Sequence, residues 1–173
     1  MSEEILRALM EMFALIVKQD GGMLQGEKDY VSGFLTKQLP HKSADEYMQL
    51  FLDNAGPIQE KGYKITGDTP SVRDSVKILN ICKTINKTLT QEQRIISLIR
   101  AFELIDSDKQ YTPQRMNIIN TIAEVFRVST TEFKSIWAFI REEEKGKFID
   151  PSMIVIDTTD SILNEQAESG FIV

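Results

Sequence analysis

The amino-acid sequence predicts an all-α domain of about seven helices with a short extended C-terminal tail. Apolar residues recur at spacings of three and four in seven successive segments, and residues that start or stop helices lie between these segments. The chain has 173 residues, of which 42% are hydrophobic and 27% charged. It is therefore long and apolar enough to bury the core of one globular domain.

The first half contains three predicted helices. Apolar spacing favours an amphipathic helix over residues 2–18 and a second helix over residues 25–39. The second helix is expected to end before Pro40, because the proline ring prevents its continuation. The third is expected to begin at Ser43, where a capping box pairs the serine with Glu46.

Four further helices follow a loop rich in glycine and proline, residues 54–70. The fourth helix is predicted over residues 71–87. Its predicted apolar face consists of Val72, Val76, Leu79, Cys82 and Ile85. Thr90 is expected to cap the fifth helix, Thr112 with the proline after it the sixth, and Ser129, in a second capping box, the seventh.

The two halves resemble each other. The turn that begins at Asp20 aligns with the turn that begins at Asp108, and the two capping boxes align at nearly the same offset. We therefore predict two pseudo-repeated three-helix units, residues 2–54 and 90–142, bridged by the fourth helix. Because three helices bury little apolar surface, the two units are expected to share one core.

Composition excludes several classes of function. The formal net charge of −6 argues against a surface that binds nucleic acid. One cysteine and one histidine are too few for a zinc site of the Cys/His type, and the sparse cysteine content fits a cytoplasmic protein. The longest apolar runs are too short to insert into a membrane.

The C-terminal residues differ in amino-acid composition from the helical part of the chain. Residues 152–156 are rich in β-branched side chains, and the sequence stops within an apolar run at residues 170–173. We expect a helical domain over residues 1–147, and a linker or the start of a following, absent domain over residues 148–173.

We call the turns that begin at Asp20 and at Asp108 the two corners. The acidic residues at these corners are candidate metal ligands. A glycine turn places Asp20 and Glu27 where they could share a hard cation or accept exposed backbone N–H groups. In the second corner Asp108 is kept but Arg115 replaces the glutamate, so an Asp–Arg pair is expected, which would lower affinity for a cation. Neither loop fits an EF-hand. Two alternatives remain open: turn and cap residues only, or a divalent metal site formed by Asp20, Glu27 and Asp108.

Candidate catalytic groups are few. Cys82 lies on a helix face and the single histidine, His41, is expected in a loop, so the pattern does not support a Cys/His pair. Phosphate-binding and dinucleotide-binding motifs do not occur in the sequence. We therefore expect this chain not to be an enzyme. The sequence assigns no cofactor with certainty, and a divalent metal ion is the candidate. A small hydrolase that uses Cys82 is the remaining catalytic alternative.

The first corner carries a family resemblance. Residues 14–21, followed by Glu27, resemble the helix-turn signature of the TerB-like domains associated with tellurite resistance, and the likeness extends over about residues 2–144. It implies an all-helical fold, no established catalytic activity and an acidic cluster proposed to bind a divalent metal, with Asp20, Glu27 and Asp108 at the matching positions. Arg115 departs from that pattern.

A second resemblance is to the N-terminal region of large ABC-type ATPases of Bacteroidetes. Residues 71–79, 81–89 and 114–120 carry it. It implies a non-catalytic regulatory or scaffolding domain, on the cytoplasmic side of the membrane, that docks a partner or neighbouring domains or senses an ion. The alternative is a stand-alone TerB-like protein that binds a divalent metal in tellurite or stress resistance.

Overall fold

The computed structural model describes residues 3–19, 21–58 and 72–141, and this part of the chain is all-α, as predicted. Its helices are α1 (Glu3–Lys18), α2 (Gln25–Gln38), α3 (His41–Ala55), α4 (Val72–Thr88), α5 (Gln91–Asp106), α6 (Pro113–Val125) and α7 (Thr130–Arg141). Most of the loop between α3 and α4 and the expected linker, residues 148–173, lie outside the described residues. The boundary after residue 147 therefore stays a prediction.

The first helix, α1, lies at the centre of the domain. It packs against α3, α4, α5 and α6. Every side chain of residues 12–17 is buried, yet Glu4, Arg7, Glu11 and Lys18 share one stripe at helical spacing, so α1 is amphipathic as predicted. The apolar residues outside this stripe fill the space between the neighbouring helices.

Three of the predicted helix starts are confirmed. The side-chain oxygens of Thr90, Thr112 and Ser129 each accept the backbone N–H of the residue three positions later. At Ser129 the capping box is complete, because its own N–H donates to the Glu132 carboxylate at 2.8 Å. These bonds satisfy N–H groups that have no partner inside the helix.

The predicted start of the third helix is wrong. α3 begins at His41 with Pro40 as its N-cap, so Ser43 lies within the first turn and His41 is helical. The carbonyl of Pro40 already accepts the N–H of Ala44 at 2.9 Å. The proline φ of −56° suits a helix entry, and the chain turns before the serine can act as a cap. The alignment of the two halves therefore loses one of its supports.

Replacing Ser129 with alanine should lower the free energy of unfolding by about 1 kcal/mol, since it removes the acceptor at the start of α7. Ser43→Ala is the matched control, because this serine is not an N-cap. We expect its effect to stay within about 0.5 kcal/mol. Urea denaturation measures both values, and equal losses would contradict the assignment of the two helix starts.

The buried face of α4 agrees with the predicted one at Cys82 and Ile85 and differs from it in the first half of the helix. Ile78, Cys82 and Ile85 are buried, whereas Val72, Val76 and Leu79 are 82%, 51% and 38% exposed. Both sets repeat every three or four residues, so apolar spacing cannot distinguish them. Packing against α1 and α6 selects the first set.

The start of α2, after the first corner, packs against the end of α5, before the second corner. A Cβ atom on Gly26, at the start of α2, would lie 3.3 Å from the carbonyl oxygen of Ser107, at the end of α5. Tyr30 of α2 donates its hydroxyl hydrogen to the Glu103 carboxylate of α5, with an O···O distance of 2.7 Å. The corners are thus neighbours in space, as a shared core requires. The equivalence of residues 2–54 and 90–142 stays a prediction.

Candidate functional site

The corner between α1 and α2 contains the glycine conformations that its sequence predicts. Gly21 and Gly22 have φ values of 98° and 143°, a region that side chains rarely adopt. The backbone N–H of Met23 donates to the carbonyl of Pro57 at 3.4 Å, which holds this corner against the residues that follow α3. The corner leads directly into α2, and Glu27 lies in the first turn of that helix.

Glu27 is fully buried at the start of α2. Its Oε2 atom accepts the backbone N–H of Leu24 at 2.8 Å, and Oε1 lies 2.7 Å from Nη2 of Arg115. One carboxylate oxygen thus stabilises the helix start, while the other forms an ion pair with the opposite half of the domain.

Arg115 is fully buried in the first turn of α6. Its guanidinium faces oxygen atoms from three parts of the chain, which we call the oxygen shell. The shell consists of Glu27 Oε1 at 2.7 Å, Asp108 Oδ2 at 3.1 Å and Oδ1 at 3.4 Å, and the carbonyls of Val17 and Gln110, each at 3.4 Å. The side chain of Asp108 is only 5% exposed. One arginine therefore joins α1, α2 and the corner between α5 and α6.

Two of the three predicted metal ligands come together in this shell. Glu27 and Asp108 both contact Arg115, and the expected Asp108–Arg115 pair is confirmed. Asp20 lies outside the described residues. The sequence reasoning missed the pair between Glu27 and Arg115. The sequence contained an indication of this pair, because the alignment of the two corners places Glu27 of the first half at the position of Arg115 in the second half.

Burial determines the protonation of the site. Loss of solvent raises the pKa of Glu27 to about 7, although Arg115 and the N–H of Leu24 act to lower it. Asp108 raises this pKa further, since two carboxylates share one guanidinium. Below about pH 7 a proton on Glu27 therefore reduces the negative charge that is buried beside Arg115.

The stability of the protein should reflect this shift. Between pH 4.5 and about 7 the folded chain keeps a proton on Glu27 that the unfolded chain releases. The contribution of this carboxyl to stability is thus complete at low pH and is lost as the pH rises through this window. We expect Glu27→Gln to lack this loss, so the Tm of wild type relative to the variant should fall from about pH 5 to about pH 7.5.

Thermal melts across this range measure the difference. The exposed Glu46→Gln variant is the control, and its difference from wild type should not follow the same curve. Parallel melting curves for wild type and Glu27→Gln would contradict the proton uptake at this site.

The geometry does not fit a divalent cation beside Arg115. The guanidinium already fills the space between the two carboxylates, and both side chains are buried. Among the described residues, no group of three or more His, Cys, Asp or Glu side chains is placed to hold a metal ion. The ligand set that includes Asp20 stays a prediction, because Asp20 is not among these residues.

A second cluster surrounds Asp106 at the end of α5. The carboxylate accepts a hydrogen bond from the Tyr111 hydroxyl and pairs with Lys109 at 2.7 Å. The ring of Tyr111 meets Trp137 edge to face at 4.8 Å, and the Arg141 guanidinium lies 5.4 Å from the Trp137 ring centre. Burial raises the pKa of Tyr111 to about 12. The cluster connects the second corner to α7.

The thiol of Cys82 has the properties of a core side chain. It is fully buried on the inner face of α4, and burial raises its pKa to about 12. A nucleophilic cysteine needs the opposite shift, because the thiolate is the reactive form. His41 is exposed at the first residue of α3.

Comparison with known proteins gives the family. Within the described residues, none of the helices is both long and apolar enough to cross a membrane. Neither the curated proteins nor the solved structures gave a match. Residues 6–138 match the model of the family described as tellurite resistance protein TerB. Because this match covers more than half of the chain, and the helical fold agrees with it, the chain belongs to the TerB family.

Proposed function

We propose that this chain is a non-catalytic docking domain of a larger cytoplasmic ABC-type ATPase, and that α4 binds an acidic amphipathic helix of a partner or of a neighbouring domain. The resemblance of residues 71–89 and 114–120 to the N-terminal region of such ATPases supports the context. The exposed side of α4 supports the docking role.

The observation that carries this proposal is one stripe of side chains along α4, which we call the α4 face. Val72, Val76, Leu79, Lys83 and Lys87 repeat every three or four residues and are all exposed. Three apolar residues occupy its first two turns and two lysines its last turns. An exposed helix face of this kind matches a helix that presents an apolar stripe and acidic residues.

Charge favours an acidic partner. α4 carries four basic residues and one acidic residue, Asp74, although the whole chain has a net charge of −6. Arg73 and Lys77 lie beside the apolar part of the α4 face and are exposed. This local excess of positive charge would guide an acidic segment to the helix and orient it.

A groove lies between α1, α3 and α4, beside the α4 face and lined by other residues of that helix. Its volume is about 370 Å³. Its lining includes Leu15 and Ile81, with Lys18, Asp53 and Lys77 around them. Glu11, Asn54 and Asn80 complete this mostly polar lining, so the groove suits a polar side chain of the partner helix, such as an amide or a hydroxyl.

Peptide binding to the full chain tests the docking role. The probe is a synthetic amphipathic helix with leucines at helical spacing and glutamates on its flanks, and the control is the same peptide with lysines in place of the glutamates. We expect the acidic peptide alone to bind, and Lys83→Glu/Lys87→Glu to weaken it roughly tenfold, since each lost charge pair costs up to about 1 kcal/mol. Binding should also weaken as salt rises.

Several outcomes would contradict the proposal. Equal binding of both peptides, or none, would remove the charge argument. Binding to phosphatidylserine vesicles without peptide binding would assign the α4 face to a membrane surface, and a dimer in solution that Val76→Asp disrupts would assign it to a second copy of the chain. An ATP-binding cassette in the coding sequence beyond Val173 would support the ATPase context.

The second candidate is a stand-alone divalent-metal-binding protein in tellurite or stress resistance. Membership of the TerB family and the closeness of Glu27 and Asp108 favour it, whereas the position of Arg115 between them opposes it. Calorimetric titration with Ca²⁺, Mg²⁺, Mn²⁺ and Zn²⁺ tests it, with Asp20→Asn as the comparison. Heat of binding in wild type that Asp20→Asn abolishes would favour this candidate.

A further inference from the structure

We infer that the Arg115 guanidinium is the resident cation of the oxygen shell, so that this chain folds without a divalent metal and becomes dependent on one when the arginine side chain is removed. The TerB-like resemblance implies a metal bound by acidic residues, and the geometry around Arg115 disagrees with that expectation. This inference does not depend on the docking role of α4.

The chemistry of the shell suits a hard cation. Every atom that faces the guanidinium within 3.4 Å in the contacts described above is an oxygen, from two carboxylates and two backbone carbonyls. Carboxylate and carbonyl oxygens are the ligands that Ca²⁺ prefers in proteins. Arginine offers five N–H donors in a planar fork, so one guanidinium can face several oxygens at once and supply positive charge to them without a metal.

Charge makes the arginine and a divalent ion alternatives to each other. Among the residues that the structure describes, the shell contains two carboxylates, Glu27 and Asp108, and Arg115 contributes one positive charge. A divalent ion added beside the arginine would leave an excess of positive charge in a site without solvent, which is costly. A divalent ion in place of the guanidinium would balance both carboxylates.

The size of the Arg115 side chain also indicates that the guanidinium and a metal ion are alternatives. Arg115 is among the largest fully buried side chains of the described residues. Truncation to alanine would open a cavity lined by the oxygen shell, whereas methionine would fill much of that space with an apolar chain. A polar cavity with several oxygen atoms can hold a cation and its remaining waters.

The experiment uses the full chain and three variants, Arg115→Ala, Arg115→Met and Arg115→Ala/Asp108→Asn. Each is stripped with EDTA and melted with and without Ca²⁺ or Mn²⁺ at constant ionic strength. We expect the wild-type Tm to be the same in all conditions. Arg115→Ala should melt lower in EDTA and regain roughly 5–10 °C at a metal concentration about 100-fold above its dissociation constant. Arg115→Met and the double variant should regain little.

A metal-induced rise of this size in wild type would overturn the inference, because it would show that a metal binds beside Arg115. Equal rises in Arg115→Ala and in the double variant would overturn it as well, because the shell would then not be the ligand. If Arg115→Ala unfolds in EDTA, its circular dichroism is followed during addition of Mn²⁺. Recovery of the helical spectrum supports the inference, and a chain that stays unfolded contradicts it.

Discussion

Replacing Arg115 with methionine should lower the free energy of unfolding by about 3–5 kcal/mol. Methionine keeps much of the side-chain length but leaves the carboxylates of Glu27 and Asp108 buried without a positive charge. It also breaks the connection between α6 and the end of α1, where Arg115 donates to the carbonyl of Val17. Urea denaturation, followed by circular dichroism, measures the loss.

The triple variant Arg115→Met/Glu27→Gln/Asp108→Asn separates charge from packing. If uncompensated charge causes most of the loss, the triple variant should be more stable than Arg115→Met alone, because neutral amides are less costly to bury than carboxylates. A triple variant that is less stable than the single variant would show that the lost hydrogen bonds matter more than the charge.

Replacing Phe102 with alanine should lower the free energy of unfolding by about 3–5 kcal/mol. The ring is fully buried in α5, and its centre lies 5.2 Å from the ring centres of both Phe133 and Trp137 in α7. Its removal leaves a cavity and takes away the aromatic contacts through which α7 packs on α5. We therefore expect α7 to loosen before the rest of the domain.

Trp137 is the single tryptophan of the chain, so its fluorescence reports the environment of α7 directly. In Phe102→Ala the emission should shift to longer wavelength, and the fluorescence transition should precede the loss of helical signal. Phe102→Leu is the control, since it keeps most of the apolar volume and should lose only about 1.5 kcal/mol or less. Coincident transitions in Phe102→Ala would contradict a local loosening of α7.

Features that depend on near neighbours in the sequence could be predicted. Thr90, Thr112 and Ser129 cap helices because a short side chain, placed three residues before an unpaired N–H, can accept it in almost any tertiary setting. The wrong prediction of Ser43 as the N-cap of α3 also has a cause in neighbouring residues. A proline three residues earlier supplied an alternative start, and the chain used it.

The faces of the helices could not be predicted in the same way. On α4 the valines and the leucine that were expected inside are exposed, whereas the amphipathic pattern of α1 was predicted correctly. Apolar spacing indicates that a helix has an apolar face, but two sets of residues on α4 satisfy it equally. The choice between them depends on which neighbours are present.

By itself the sequence determined the helical class, the positions of most helix boundaries and the acidic corners that resemble the TerB family, because these follow from spacing and from hydrogen bonds within a few residues. Only the tertiary structure decided that Glu27 forms an ion pair with Arg115, a residue of the other half. A buried charge takes the partner that folding brings near it, and separation along the chain does not reveal that partner.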